Sequence, residues 1–323
     1  FRYAIEKMCK EKKSLNHFIL IMIKELLKNT IWQWYQFIIS RVGIHYTHLN
    51  KVALCCMGKC ENLYIREWVE YYHDLGFDKI YIYDNNDIEG EKFDDVIKDF
   101  IDMNYCEIID YRGKACCQEE AYHDCYTKHK NEYDWIAVFD IDEFLTLRKH
   151  NNIHDFLNDK QFYNYQVIHI NWMCFGDNEM LDFDGRKCQD RFVTPLPYNI
   201  RRFKDFPENN HIKSIVRGNL KHLNWRYITH TPWCYYRCCN PQGIECSVRS
   251  PYNPYNFDVA YLKHYYTKTI GEWIRIKAAR GYGDMDKETA KKKLGIDVFF
   301  MLNKRTSEKE KYAKSILKEI SNA

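Results

Sequence analysis

An alternation of short apolar runs with amphipathic segments, between residues 51 and 145, constrains the fold of this chain more than any other feature. The apolar runs have the length of buried strands, and the segments between them carry apolar residues at helical spacing. Strands are predicted at 51–57, 79–87, 106–112 and 134–142, and helices at 61–76, 93–102 and 118–130. This β-α-β-α-β-α-β order predicts a mostly parallel, Rossmann-like sheet flanked by helices on both faces.

Polar side chains follow each of the four predicted strands. They are Lys59, Glu61, Asp84, Arg112, Asp140 and Asp142. In open α/β sheets, ligands bind outside the carboxyl ends of the strands. We therefore expect these side chains to meet at one edge of the sheet and to form a binding site there.

The fourth predicted strand poses an energetic problem, because its apolar run ends on Asp140, Asp142 and Glu143. Neighbouring carboxylates repel one another and resist burial unless something compensates their charge. Asp140 and Asp142 are two residues apart, so in an extended chain they share a face and could hold one divalent cation. That cation could in turn hold a diphosphate. A solvated turn is the alternative explanation for so short a motif.

Composition narrows the function classes. The net charge of the 323 residues is only +3, which does not favour nucleic-acid binding. The 14 cysteines are too few for a disulfide-built scaffold at this length, so a reducing cytoplasm is the simpler assignment. A group at Cys234, Cys238, Cys239 and Cys246 offers zinc ligands but lacks the usual pair of Cys-x-x-Cys hooks.

The N-terminal 50 residues form a separate, helical extension by their pattern. Residues 14–40 are strongly apolar, but Lys24, Glu25 and Lys28 interrupt the run, which argues against a membrane-spanning helix. Polar residues then recur at helical spacing, as on one face of an amphipathic helix. Such a helix could lie on a membrane surface or pack against protein. Residues 285–323 are predicted to form a C-terminal helical tail.

Several segments, in order, are similar to glycosyltransferase family 92 and to related family 2-like glycosyltransferases. They are GKCENLYIREWVEYYHDLGFDKIYIYDNND at 58–87, QEEAYHDCYTKHKNEYDWIAVFDIDEFL at 118–145, NWMCFG at 171–176, KSIVRG at 213–218, HTPW at 230–233 and LKHYYTKTIGEWIRIKAARG at 262–281. The resemblance covers residues 51–284. It implies a GT-A catalytic domain, a nucleotide-sugar donor, a DxD-bound Mn²⁺ or Mg²⁺, and an inverting transfer.

The resemblance also assigns roles to individual residues. Asp84 would contact the nucleotide base or ribose, Asp140 the ribose or metal, and Asp142 the metal. His264 would complete the metal site, with His230 as the second choice. Lys213, Lys268 and Arg280 would bind the diphosphate. The first loop, usually Lys-Asn-Glu, reads Lys59-Cys60-Glu61 here and keeps both charged residues.

An inverting transfer needs a base that deprotonates the acceptor hydroxyl. Asp177 and Glu179 are candidates by position, although neither matches a family pattern, and both could be solvated loop residues. Trp225 and Trp233, in loop-like segments, are candidates for stacking on sugar, whereas Trp172 is expected in the core.

The sequence thus predicts a metal-dependent glycosyltransferase of bacterial surface-polysaccharide or lipopolysaccharide synthesis. UDP-galactose is the first donor to consider, and the acceptor would be a glycan or a lipid-linked saccharide at the cytoplasmic face of the membrane. Two alternatives stay open at this point. A sugar nucleotidyltransferase also places carboxylates at strand ends to hold metals, and a nucleotide-sugar-binding module without turnover would keep the same cleft.

Overall fold

The computed structural model describes residues 49–202, 206–225 and 229–322, together with residues 27, 30, 31, 34, 35 and 38. The last six are helical and exposed. Most of the predicted N-terminal amphipathic extension therefore lies outside the described residues. The chain divides into two compact units, residues 1–45 and 46–323. Among the described residues, no helix has the length and apolar character that crossing a bilayer would require.

In the described part of the second unit, ten strands form the central sheet. Their bounds are β1 Val52–Gly58, β2 Lys79–Asp84, β3 Cys106–Asp110, β4 Trp135–Val138, β5 Glu143–Leu147, β6 Val167–Cys174, β7 Ile212–Arg217, β8 Cys238–Cys239, β9 Glu245–Cys246 and β10 Ala260–His264. The order across the sheet is β3-β2-β1-β4-β7-β6-β10-β5. Outside this order, β8 pairs with β6 and with β9. Strands β1 to β4 are parallel, as the sequence predicted.

The second half of the sheet is mixed, which the periodicity did not predict. Strand β7 runs antiparallel to both β4 and β6, and β10 runs parallel to β6 but antiparallel to β5. As a result, β10 sets His264 beside Glu143 of β5 and beside Cys174 of β6. The C-terminal end of β10 thus lies beside the acidic segment that follows β4.

Helices cover the sheet between the strands and at the C-terminus. They are α1 Asn62–Asp74, α2 Asp94–Asp102, α3 Gln118–His129, α4 Ile153–Leu157, α5 Cys188–Arg191, α6 Ile270–Glu272, α7 Ala278–Arg280, α8 Lys287–Lys293, α9 Ile296–Leu302 and α10 Ser307–Asn322. Short 3₁₀ helices occupy Lys160–Phe162 and Glu208–Asn210, and a π-helical segment, Trp273–Lys277, links α6 to α7. The predicted α/β class, a sheet flanked by helices, is confirmed.

Among the described residues, two hydrophobic clusters hold these layers together. The larger one joins the sheet to α1, where Trp68 and Tyr72 are fully buried and bond the carbonyl oxygen of Glu143. The smaller one packs α9 and α10 against the π-helical segment around Trp273 and Phe299. The C-terminal helices therefore support the segment that carries Lys277 and Arg280.

Gly218 is the glycine that ends the KSIVRG segment of the family resemblance. A Cβ atom at this position would lie 1.9 Å from the carbonyl oxygen of Tyr133. The backbone after β7 passes against the turn before β4, and any side chain would force them apart. We infer that this glycine serves the fold rather than ligand binding.

Candidate active site

A cavity of about 370 Å³ opens at the carboxyl ends of β1 and β4 and beside the end of β10. This is the edge where ligands bind in α/β sheets. Its walls include residues that the sequence selected, namely Lys59, Glu61, Asp140, Asp142, His230, His264 and Arg280. The predicted convergence is therefore observed for the polar groups that follow β1 and β4, but not for Asp84 and Arg112 after β2 and β3.

Asp140 follows β4 and is fixed by three donors. Lys213 Nζ and Tyr122 Oη each lie 2.7 Å from its carboxylate, and Gln118 Nε2 lies 3.1 Å away. Burial alone raises the pKa of Asp140, but Lys213 and Tyr122 outweigh that effect and lower it. Asp140 is thus an ionised carboxylate locked in one orientation on the α3 side of the cavity.

Asp142 lies two residues further on and has different partners. Lys277 Nζ is 2.9 Å and Lys268 Nζ 4.0 Å from Oδ2, whereas His264 Nε2 is 3.5 Å from Oδ1. Burial by itself would raise the pKa of Asp142, but Lys277 and His264 hold it well below its usual value. The two oxygens of this carboxylate therefore face two distinct environments, lysines on one side and an imidazole on the other.

Glu143 completes the acidic run. Its Oε2 accepts the backbone N–H of Asp140 at 2.9 Å, and burial raises its pKa well above the ordinary value. The energetic problem seen in the sequence thus has an answer in the protein itself. Lys213 compensates the charge of Asp140, and Lys277 and Lys268 compensate that of Asp142. Glu143 stabilises the turn between the two aspartates. Buried carboxylates with such partners do not require a metal in order to fold.

The first loop adds a third charged pair to the cavity. Arg280 contacts both the carboxylate of Glu61 and the carbonyl oxygen of Lys59, and Lys268 Nζ lies 3.8 Å from Glu61. Lys268 has a φ of 49°, in the left-handed region that non-glycine residues rarely adopt. Lys59 itself bonds Asp87 at 2.6 Å. Lys268 and Arg280 thus link Glu61 to the Asp142 side of the cavity.

Asp84 and Arg112 form a pair of their own, beside the cavity rather than in its lining. The Asp84 side chain is fully buried, bonds Arg112 Nε at 2.9 Å and accepts the backbone N–H of Asn86. The neighbouring Asn85 lines the cavity instead. The pair orders the loop after β2. Asp84, to which the resemblance assigned a nucleotide contact, does not line the cavity.

Asp177 and Glu179, the sequence candidates for the base, are held elsewhere. Lys309 of α10 lies 2.6 Å from Asp177 and 3.3 Å from Glu179, and neither acidic side chain contributes to the cavity lining. Asp177 is buried and also accepts the backbone N–H of Glu179. These contacts attach the loop after β6 to the C-terminal helix.

Aromatic residues form part of the cavity wall. The ring of Trp172 contacts His264 at 4.1 Å, His211 at 4.7 Å and His230 at 5.2 Å, measured between centroids. Trp172, expected in the core, therefore lines the cavity. Trp225 is fully buried, so its sequence-based assignment as a sugar platform is wrong, and Trp233 is exposed but outside the lining.

His211 and His230, two of the three imidazoles next to Trp172, have defined tautomers. His211 Nδ1 lies 2.9 Å from the carbonyl oxygen of Glu208, and His230 Nδ1 lies 2.9 Å from that of Ile212. A carbonyl only accepts, so each Nδ1 carries the proton and each Nε2 keeps a lone pair. Burial lowers the pKa of His211 and lowers that of His230 to about 3. Both rings are neutral bases at neutral pH.

The donor atoms at Asp142 and His264 fit a divalent cation. A carboxylate oxygen and an imidazole nitrogen 3.5 Å apart are oxygen and nitrogen ligands that Mn²⁺ accepts. Burial lowers the pKa of His264, so the ring is neutral, and Nε2 would offer its lone pair to a metal in the tautomer that carries the proton on Nδ1. Asp140 is not a third ligand in this arrangement. Among the described residues, the donor atoms of Asp140, Asp142 and His264 do not all lie within 4.8 Å of one another. Asp142 and His264 are therefore the residues that would hold the metal.

Lys277, Arg202 and His211 are among the cavity residues that the sequence analysis did not select. Lys277 lies three residues before Arg280, about one helical turn, so helical spacing could have identified it. Arg202, which bonds Tyr282 at 3.1 Å and contacts Tyr266, comes from an irregular segment without a periodic signal. His211 precedes β7 and carried no motif.

Comparison with known proteins places this geometry in a family. The sequence model of glycosyltransferase family 92 matches residues 50–294, most of the chain. The chain therefore belongs to glycosyltransferase family 92.

Individual relatives are more distant. A glycosyltransferase family 92 protein of Ricinus communis is 24% identical over 41% of this chain, which is 24% of its own length. One from Arabidopsis thaliana is 29% identical over 31% of this chain and 17% of its own length. The chain thus spans only about a quarter or less of the length of these curated relatives. The solved structure of S. aureus TarS 1–349 with UDP-GlcNAc is 10% identical, covers 82% of this chain and 79% of that one, and has a TM-score of 0.35.

Proposed function

We propose that this chain is a GT-A glycosyltransferase that moves a sugar from a nucleotide-sugar donor to an acceptor hydroxyl in the cavity at Asp140 and Asp142. The observation that supports it most is the set of fixed cations, Lys268, Lys277 and Arg280, around carboxylates at the strand ends. Family membership favours this activity over a sugar nucleotidyltransferase and over a binding module without turnover.

The donor diphosphate would lie against these cations. Lys277 and Arg280 line the cavity, and Lys268 lies behind them. Fixed positive groups favour the departure of a nucleoside diphosphate, because they stabilise charge that develops on the leaving oxygen. A bound Mn²⁺ or Mg²⁺ at Asp142 and His264 would supply further positive charge next to the same leaving group. Asp140, held by Lys213 and Tyr122, is placed to accept a hydrogen bond from the donor ribose.

The acceptor would approach along the wall formed by Trp172, Tyr252 and His211. Trp172 is almost completely buried and its ring stacks on His211, so it shapes this wall by packing behind the exposed groups. We propose His211 as the base in place of Asp177 and Glu179. Its Nδ1 proton is used by Glu208, so Nε2 can take the proton of the acceptor hydroxyl as the sugar carbon is attacked, which gives inversion.

The His211 proposal predicts a pH profile. Because burial lowers the pKa of His211 below the ordinary 6.5, the ring stays neutral at mildly acidic pH. We expect kcat to fall only when the pH drops below this lowered pKa. His211→Gln should lower kcat about 100-fold or more and remove this acidic limb. Initial rates between pH 4.5 and 8 would measure both effects.

Asp284→Asn provides the comparison, since Asp284 is a carboxylate at the same cavity. We expect little change in its pH profile. If Asp284→Asn removes the acidic limb while His211→Gln keeps it, the assignment of the base to His211 is wrong.

The donor is tested by binding before any acceptor is known. UDP-galactose with Mn²⁺ should raise the melting temperature, because a ligand at about 100 times its Kd adds about 2.7 kcal/mol to the free energy of unfolding. For a chain of this size that corresponds to a few degrees. UDP-glucose, UDP-GlcNAc and GDP-mannose serve as matched donors, each with and without Mn²⁺.

Product analysis then tests the reaction class. Release of a nucleoside diphosphate is expected, whereas release of pyrophosphate would identify a nucleotidyltransferase. Binding without any product over long incubation with an acceptor mixture would leave only the binding module.

The glycan or lipid-linked acceptor, the bacterial surface-polysaccharide pathway and the peripheral location at the inner face of the membrane stay predictions from the sequence. The two curated relatives described above come from plants.

A further inference from the structure

We propose that His169, Cys238 and Cys246 form a structural zinc site that is separate from the cavity and independent of the glycosyltransferase proposal. Their ligand atoms, one imidazole nitrogen and two sulfurs, all lie within 4.8 Å of one another. The two sulfurs are 3.4 Å apart, and Cys246 Sγ is 3.8 Å from His169 Nδ1. Ligands at 2.0 to 2.3 Å from a tetrahedral zinc have mutual separations of about 3.5 to 3.8 Å.

Strand register explains why these three side chains meet. Cys238 of β8 pairs with Cys246 of β9 on one side and with Val167 of β6 on the other. Directly paired residues project to the same face of a sheet, and so does the residue two positions along the strand. His169 therefore shares the face of both cysteines. Cys239, the next residue, projects to the opposite face and is excluded from the site.

The hydrogen bonds of His169 prepare it as a ligand. Thr231 Oγ1 donates its proton to the carbonyl oxygen of Val248 at 3.0 Å, so it accepts from His169 Nε2 at 2.9 Å. The proton thus lies on Nε2, and the lone pair of Nδ1 faces Cys246. Metal-binding histidines commonly have their second nitrogen fixed in this way.

Asn253 is placed to complete the site. Its side-chain N–H donates to His169 Nδ1 at 2.9 Å. A metal bound to Nδ1 would replace this hydrogen bond, and the amide turned over would present its oxygen to the metal. That oxygen or a water molecule would be the fourth ligand. All of these groups are buried except Cys246, which is half-buried and provides access from solvent.

The two cysteine sulfurs are also ligands of the type that zinc prefers. A thiolate, rather than a thiol, is the form that binds metal. A third ligand beyond the two sulfurs favours zinc over a simple cross-strand disulfide, which would use only Cys238 and Cys246.

Such a site would fasten the irregular segment after β7 to β6. Thr231 follows His230 directly, and Tyr252 precedes Asn253, so two cavity residues are adjacent in sequence to groups of the site. Zinc at this position would set the acceptor wall without touching the donor.

Metal analysis of the full chain, purified under reductant, tests the proposal. About one Zn²⁺ per chain is expected in the wild type and in Cys239→Ala, the buried control on the opposite face, and far less in Cys246→Ala and Cys238→Ala. Replacement by Co²⁺ should give a thiolate charge-transfer band that Cys246→Ala lacks. A zinc chelator should lower the melting temperature of the wild type more than that of Cys246→Ala.

Three results would overturn it. One is zinc in Cys246→Ala at the wild-type level, which would mean adventitious metal. Another is wild-type protein that takes up neither Zn²⁺ nor Co²⁺. The third is a Cys238–Cys246 disulfide in protein purified without reductant, combined with no metal uptake after reduction. Because the wild type alone decides the last two, the proposal stays testable even if a cysteine variant fails to fold.

Discussion

Asp142→Asn is expected to abolish sugar transfer. The substitution removes the charged ligand that faces His264 and also the charge that positions Lys277, so both the metal contact and the placement of a diphosphate-binding cation are lost. Removing a single preorganised charge of this kind costs about 100- to 1,000-fold in rate, and here two functions are lost together. We therefore expect kcat/KM to fall at least about 1,000-fold, with the Mn²⁺ dependence lost.

The matched control is Asp102→Asn, an exposed carboxylate of α2 that pairs only with Lys98 on its own helix. Its rate should equal that of the wild type. Melting curves of both variants separate activity from folding. The carboxylate of Asp142 has a depressed pKa, so its contribution to stability is present above the ordinary value of 3.8 and is lost as pH falls through the lower folded value. A near-normal rate for folded Asp142→Asn would eliminate the proposed site.

Arg191→Met is expected to cause the largest loss of stability. Both terminal nitrogens of Arg191 bond Glu272, at 2.8 and 2.9 Å, and both side chains are almost completely buried. Tyr64 and Thr269 also donate to Glu272, each at 2.7 Å. Removing the arginine leaves a buried carboxylate without its counter-ion, which costs about 3–5 kcal/mol of the free energy of unfolding. Denaturant titration and melting temperature would measure it.

The pH dependence should change direction in this variant. Although burial alone raises it, the pKa of Glu272 is lowered by Arg191, so wild-type stability from this group is lost as pH falls below 4.5. Without Arg191, burial raises that pKa, and stability should instead fall as pH rises above 4.5.

Lys187→Met, at the adjacent exposed pair with Glu70, should cost less than about 1 kcal/mol. A loss in Arg191→Met no larger than in this control would contradict the prediction. Arg191→Met combined with Glu272→Gln should recover part of the loss, because the unpaired charge is then removed.

The parallel half of the sheet could be predicted because β1, β2 and β4 are buried, largely apolar runs, and because the partly buried β3 and the helical segments lie between them in regular alternation. The mixed half could not. Strands β7 and β10 carry no turn signal that fixes their direction, and only tertiary pairing decides that β7 runs against both neighbours. The position of His264 beside the acidic turn depends on that pairing, so the family resemblance could suggest this residue but periodicity could not.

Within the site, residues on regular elements were easier to predict than residues on loops. Asp140, Asp142 and Arg280 lie at the end of a strand or on a helix, where the pattern shows which way they face. Trp172 lies on a fully buried strand, and no alternation distinguishes its core side from its cavity side. Asp177 was selected by its distance along the chain, but Lys309, 132 residues further on, occupies its carboxylate.

The pairing of carboxylates with lysines and arginine at the cavity has a consequence for the order of binding. Asp140, Asp142 and Glu61 are matched by Lys213, Lys277, Lys268 and Arg280. The protein presents no surplus of negative charge that would draw in a solitary divalent ion. When a cation is already chelated by the phosphates of the donor, those phosphates compensate most of its positive charge. Metal and nucleotide sugar would thus enter as one complex, and titrating Mn²⁺ alone should produce little heat until the nucleotide is added.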